Sequence, residues 1–251
     1  LGLFADPYKY LHRLNNVKIL HAQANLDISR KMAEESMVLL KNDNNILPLK
    51  GSKRIAVVGP LACTGMNLYG AWTLQKGKDY ENKTILQAIE EIAGGNSRVR
   101  YAKGSNIYYN PQLEANGSIG GFELYHDNRT PDELLKGALS VVDSSDIIIA
   151  VLGELSGMTG ESSSRADISM PDAEHDLLVS LAGTGKPIIL LYSSGRPVAM
   201  KWEKEHIPVI VETWFGGSEA ADAIANILFG KINPSGKLTT SFPLVTGQLP
   251  Y

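Results

Sequence analysis

Two glutamates, one arginine and one aspartate fall within a single Gly- and Ser-rich stretch, Gly153-Glu-Leu-Ser-Gly-Met-Thr-Gly-Glu-Ser-Ser-Ser-Arg-Ala-Asp-Ile-Ser-Met-Pro171. Carboxyls near one another are the groups that carry general acid–base chemistry. Glu154 and Glu161 are the candidates; Arg165 and Asp167 stand beside them. The bland alternative is a solvated polar loop. The stretch directly follows the apolar run ending at Leu152, and open α/β sheets gather ligands at the carboxyl ends of their strands. Its length is itself a signal, because loops longer than about 12–15 residues inside a compact domain are usually functional or disordered. A second feature is Trp72, in the glycine-flanked stretch Tyr69-Gly-Ala-Trp-Thr73. An indole there either covers core or stacks on the apolar face of a sugar ring.

The elements that would position these residues are legible as apolar runs. Arg54–Val58, Asp146–Leu152, Pro187–Tyr192 and Pro208–Glu212 are apolar without alternation, the pattern of strands buried on both faces of a parallel sheet. Arg98–Ala102 fits a further strand. Leu238–Phe242, ended by Pro243, reads as an antiparallel edge strand. Helical spacing covers Asp27–Lys41, Ala173–Ala182 and Ser218–Phe229, and Trp202 lies in a further helical stretch. Thr130-Pro-Asp-Glu133 is a capping box opening a helix that runs to about Val142. Strand–helix alternation predicts an α/β sandwich with a mainly parallel, roughly six-stranded sheet flanked by helices, a flavodoxin-like layering. Residues 1–26 read as a connector and 27–251 as the domain. Residues 104–129, rich in Gly, Asn and Tyr, read as a long insertion.

Composition narrows the function. The 251 residues are 43% hydrophobic and 20% charged with a net charge of −3, so neither nucleic acid nor a membrane is the expected partner. The single cysteine, Cys63, forbids an internal disulfide and reads as a small buried side chain. The five histidines are scattered without metal-ligand spacing, so no metal is expected. Gly59-Pro-Leu-Ala-Cys-Thr-Gly65 is not a dinucleotide fingerprint, and Tyr192-Ser-Ser-Gly195 lacks the first glycine of a serine-hydrolase elbow. No cofactor is expected.

Several motifs, in order along nearly the whole chain, resemble the C-terminal domain of family 3 glycoside hydrolases. Gly160–Pro171 resembles that family's acid/base loop, and Asn233-Pro-Ser-Gly-Lys-Leu-Thr-Thr-Ser-Phe-Pro243 its C-terminal signature. Ala33–Asn42 with Leu47-Pro-Leu49, Ser194-Gly-Arg-Pro197 and Glu212–Glu219 also fit. Leu1–Tyr8 is similar to the connector leaving the family's barrel. The match is nearest to the bacterial periplasmic β-glucosidases. The resemblance implies a retaining β-glucosidase that removes terminal non-reducing β-D-glucosyl residues from oligo- or aryl β-glucosides, in a periplasmic or secreted setting. It implies an N-terminal (β/α)8 barrel of the same polypeptide that supplies an aspartate nucleophile, with Glu161 as general acid/base and Trp72 at the aglycone subsite. Glu154, Arg165 and Asp167 then support the loop. Without its barrel this chain would be inactive. The competing expectations are a β-xylosidase or exo-glucanase domain, a non-catalytic sugar-binding or structural module, and a flavodoxin-like binding domain for a phosphorylated ligand. The loop carboxylates argue against the last, which would need a phosphate-cradling turn.

Overall fold

The protein is described by a computed structural model covering residues 1–11, 22–73, 82–94, 98–117 and 126–248. Six strands form one sheet: β1 (Val38–Asn42), β2 (Ile55–Val58), β3 (Val99–Ala102), β4 (Ile147–Gly153), β5 (Ile188–Ser193) and β6 (Val209–Glu212). Their order is β1-β6-β5-β4-β2-β3; β1 is antiparallel to β6 and the other pairs are parallel. Every residue of β2, β4, β5 and β6 is buried. Alternate side chains of these strands enter two different cores, which is why the runs show no polar alternation. Val57, Ile149, Val151, Leu191 and Val211 enter one core; Ala56, Ile148, Ala150, Leu190 and Ile210 enter the other.

Helices cover both faces. The first core is closed by α1 (Gln23–Ser36), α2 (Ile85–Ala93) and α7 (Ala220–Leu228), through Ala33, Ile89 and Ile224 among others. The second is closed by α4 (Pro131–Asp143) and α5 (Asp172–Ala182), through Ala138, Leu178 and Leu181. The predicted cap of α4 is present in both arms: Glu133 N–H donates to Thr130 Oγ1 at 3.3 Å, and Thr130 N–H donates to Glu133 Oε2 at 2.8 Å. Two further short helices are α3 (Pro111–Gly117), within the stretch read as an insertion, and α6 (Lys201–His206), carrying Trp202.

Two expectations about elements are corrected. Leu238–Phe242 is not a strand. The antiparallel edge is β1, from a segment that reads as the end of a helix. Its apolar spacing suits either element; the open edge of β6 decides, because Val38–Asn42 pairs with Glu212–Val209. Leu238–Phe242 follows a segment that runs along the start of β1, where Gly236 N–H donates to Met37 O at 3.1 Å. Phe242 then meets Trp214 edge-on at 5.9 Å. Cys63, expected inside, is exposed at the end of the turn Pro60–Cys63. Of the connector read over residues 1–26, residues 12–21 lie outside the described residues, and 1–11 are exposed turns.

Candidate active site at the carboxyl ends of the strands

Four loops leave the same edge of the sheet, because β2, β4, β5 and β6 are parallel. They span residues 59–73, 154–171, 194–197 and 213–218. Both candidate site residues sit on loops of adjacent strands, Trp72 after β2 and Glu161 after β4.

Glu154 is the first residue beyond β4. Its N–H donates to Ser193 O at 2.7 Å, which continues the ladder and turns the side chain inward. The side chain is completely buried. Its Oε1 accepts from Arg165 Nη1 and lies 3.4 Å from Arg196 Nε. Burial pushes the Glu154 carboxyl above its ordinary value, and the guanidiniums of Arg165 and Arg196 pull against that shift. Its carbonyl accepts from Asn67 Nδ2 at 3.1 Å, while Asn67 Oδ1 accepts from Ser156 N–H at 2.8 Å. The loop after β2 is thereby tied to the root of the loop after β4.

Arg165 reaches from that root to the far limb, where Nη2 donates to Ser169 O at 2.9 Å. Asp167 accepts from Ser169 N–H at 2.9 Å and from Thr246 Oγ1 at 2.7 Å. These bonds hold its carboxyl below the usual Asp range. Both residues are therefore bonded to the loop's own backbone, and Asp167 also to the chain near residue 246.

Glu161 stands at the tip and is exposed. It lies between two left-handed residues, Gly160 at φ 103° and Ser162 at φ 63°. The turn is closed by Ser163 N–H to Gly160 O at 3.3 Å and Ser163 Oγ to Gly157 O at 2.9 Å. Gly160 rests on the loop after β2: a Cβ there would lie 3.1 Å from Ala71 Cβ and 3.6 Å from Trp72 Nε1. Trp72 is 73% exposed, so the indole lines the open surface next to the Glu161 tip and does not cover core. Among the candidates, Glu161 and Trp72 are both exposed at this surface, with Gly160 beside the indole, and Glu154, Arg165 and Asp167 lie behind or along the loop.

Some residues at this end are not singled out by the sequence as site residues. Glu174, in the first turn of α5, accepts Gly153 N–H with both oxygens at 3.2 and 3.0 Å. Glu212, the last residue of β6, accepts Ser194 N–H at 3.2 Å and Trp214 N–H at 3.0 Å on Oε1. Both side chains are completely buried, and burial raises both carboxyls well above the ordinary value. For Glu212 the signal was available: a glutamate closing an apolar strand is costly unless its oxygens are satisfied. Trp214, at φ 55°, is half-buried and donates Nε1–H to Ser36 O at 3.1 Å.

Comparison with known proteins gives the family of the chain. Residues 37–251 match the family model for the glycosyl hydrolase family 3 C-terminal domain. The periplasmic beta-glucosidase of Salmonella typhimurium is 40% identical over 100% of this chain and 33% of its own length. The beta-xylosidase of Formosa agariphila is 34% identical over 89% of this chain and 29% of its own. Among solved structures, the beta-glucosidase from Listeria innocua in complex with isofagomine superposes with a TM-score of 0.83 at 30% identity, covering 100% of this chain and 31% of that one. The chain thus spans about a third of the length of these relatives. It belongs to the C-terminal domain of glycosyl hydrolase family 3.

Proposed function

We propose that this chain is the acid/base-bearing domain of a retaining β-glucosidase, with Glu161 as the general acid/base. The observation that carries the reading is the contrast between the two loop glutamates. Glu161 is exposed at a tip that abuts Trp72, whereas Glu154 is buried and committed to two arginines. A group that exchanges protons with substrate must reach it, and only the first of the two does.

In this reading residues 1–26 connect to a (β/α)8 barrel of the same polypeptide, which supplies an aspartate nucleophile. The coverage of relatives about three times longer supports a further domain. Retaining hydrolysis needs the two carboxyls about 5–5.5 Å apart. Glu161 protonates the glycosidic oxygen as the nucleophile attacks the anomeric carbon, and then deprotonates the water that opens the glycosyl-enzyme. Docking of the barrel over the exposed tip would exclude water from the Glu161 carboxyl, the environment a general acid requires. Trp72 would stack on the leaving sugar or aryl group. A terminal β-D-glucosyl residue is the substrate supported by the Salmonella and Listeria relatives; the β-xylosidase among the relatives supports a pentoside as the second choice. The Salmonella relative also supports a periplasmic or secreted location.

The test is made in the full-length polypeptide. Glu161→Gln should abolish most hydrolysis of alkyl glucosides and spare the glycosylation step for activated aryl glucosides, which need little protonation. Azide should restore turnover on the aryl substrates. Equal losses on both substrate kinds, without azide rescue, would falsify the assignment. A β-xyloside preferred over the glucoside would select the second choice.

A further inference from the structure

The carboxyl of Glu161 takes its position from the turn that bears it, and that turn is gripped from below by an arginine of another strand's loop. Arg196 follows β5. Its Nη2 donates to the carbonyls of Met158 and Ser163, the latter at 2.9 Å, so the bonds fall on both sides of Glu161. Between these two anchors lie the left-handed residues Gly160 and Ser162. A left-handed non-glycine residue is strained and persists only where its surroundings over-determine it. Within the tip Ser163 closes the turn onto Gly160 O and Gly157 O, while the carbonyl of Glu161 itself accepts a long contact from Ser163 Oγ, 3.5 Å.

Arg196 is itself fixed. Ser194 N–H is held by Glu212, and Ser194 Oγ donates to Arg196 O at 2.8 Å. The backbone at Gly195 lies directly against the loop that bears Glu161 and against the loop after β6, since a Cβ there would stand 2.5 Å from Thr159 Oγ1 and 3.2 Å from Phe215 Cε2. On its inner side Arg196 Nε lies 3.4 Å from the buried Glu154 carboxylate. Arg165 shares that carboxylate but holds the loop farther down, at Ser169. A planar guanidinium can meet a carboxylate and two carbonyls in one fixed orientation, which an ammonium on a flexible stem cannot reproduce.

We infer that Arg196 is a positioning residue, which sets where the Glu161 carboxyl stands relative to Trp72 and the glycosidic oxygen. This rests on Glu161 being the acid/base. Displacing a catalytic group by about 1 Å can cost on the order of 100-fold. That loss should appear where protonation of the leaving group matters.

The experiment compares kcat/KM, which reports glycosylation, for an alkyl and a dinitrophenyl β-glucoside in the full-length polypeptide. Arg196→Met should lose about 100-fold on the alkyl substrate and under about threefold on the dinitrophenyl one. Arg196→Lys, which keeps the charge beside Glu154, should lose about tenfold on the alkyl substrate, and it carries the test if the methionine variant does not fold. Glu161→Gln combined with Arg196→Met should be no slower than Glu161→Gln alone, because the arginine acts through the glutamate. Equal losses on the two substrates, or additive losses in the double variant, overturn the inference. If Glu161→Gln itself lacks leaving-group dependence, the acid/base assignment falls first. If it shows that dependence and the Arg196 variants do not, only the positioning role falls.

Discussion

Glu154 should be the most costly carboxylate in the domain to neutralise, although the proposed function gives the proton transfer to Glu161. Its side chain is fully buried, and those of Arg165 and Arg196 are 13% and 21% exposed. Glu154→Gln removes the negative charge and leaves two cations facing each other across a buried amide. Removing one partner of a buried ion pair costs about 3–5 kcal/mol. The lower end applies, because both arginines keep carbonyl partners on the loop and some solvent contact. For a domain of this size about 3 kcal/mol corresponds to a fall in Tm of about 6–12 °C. The assay is thermal unfolding followed by circular dichroism, with Glu154→Gln, Arg165→Met and the double variant measured together. The double variant should be less destabilised than the sum of the two by about 1–3 kcal/mol, since the groups are in contact. A Tm within 2 °C of the parent for Glu154→Gln, or strict additivity, would show that Glu154 is not electrostatically coupled to the two arginines.

Glu212→Gln should gain stability relative to the parent as pH rises. The folded state holds the Glu212 proton above the unfolded chain's pKa of about 4.3, so this group's contribution is full below that pH and is lost as pH climbs toward the raised folded value. Gln keeps the acceptor for Ser194 and Trp214 and has no proton to lose; urea unfolding from pH 4.5 to 8 reads the difference, and a pH-independent gap rejects the account. Trp72→Ala should leave Tm unchanged, because the ring is 73% exposed, and should raise KM for aryl glucosides about fivefold, the equivalent of about 1 kcal/mol of ring stacking. An unchanged KM would remove Trp72 from the subsite. Residues 1–251 expressed alone should give a cooperative melt and no turnover of an aryl β-glucoside; sustained turnover would mean that the nucleophile has been sought in the wrong domain.

The parallel core was legible because strands buried on both faces cannot afford polar alternation. Arg54–Val58, Asp146–Leu152, Pro187–Tyr192 and Pro208–Glu212 each match a strand to within a residue or two. Capping chemistry is local in the same way, so Thr130–Glu133 announced α4 from four residues. Helix α2 carries an equivalent box, in which Gln87 N–H donates to Thr84 Oγ1 at 3.2 Å and Thr84 N–H to Gln87 Oε1 at 2.8 Å. The edge strand was not legible. Val38–Asn42 and Leu238–Phe242 both suit an edge, and the choice depends on which of them meets the open side of β6.

For the site, the chain's own order of residues determined that two glutamates follow a central strand on a Gly/Ser loop and that an indole follows the strand beside it. Those are properties of spacing, and parallel pairing then brings both loops to one end. Which glutamate faces water was decided only by tertiary contact. Arg165 lies 11 residues from Glu154 and Arg196 lies on the loop of the next strand, yet both converge on one carboxylate oxygen. The proton-holding character of Glu174 and Glu212 has the same origin. Nothing in their neighbours along the chain sets it; burial under loops from other strands does, because desolvation depends on everything packed around a group and not on the residues bonded next to it.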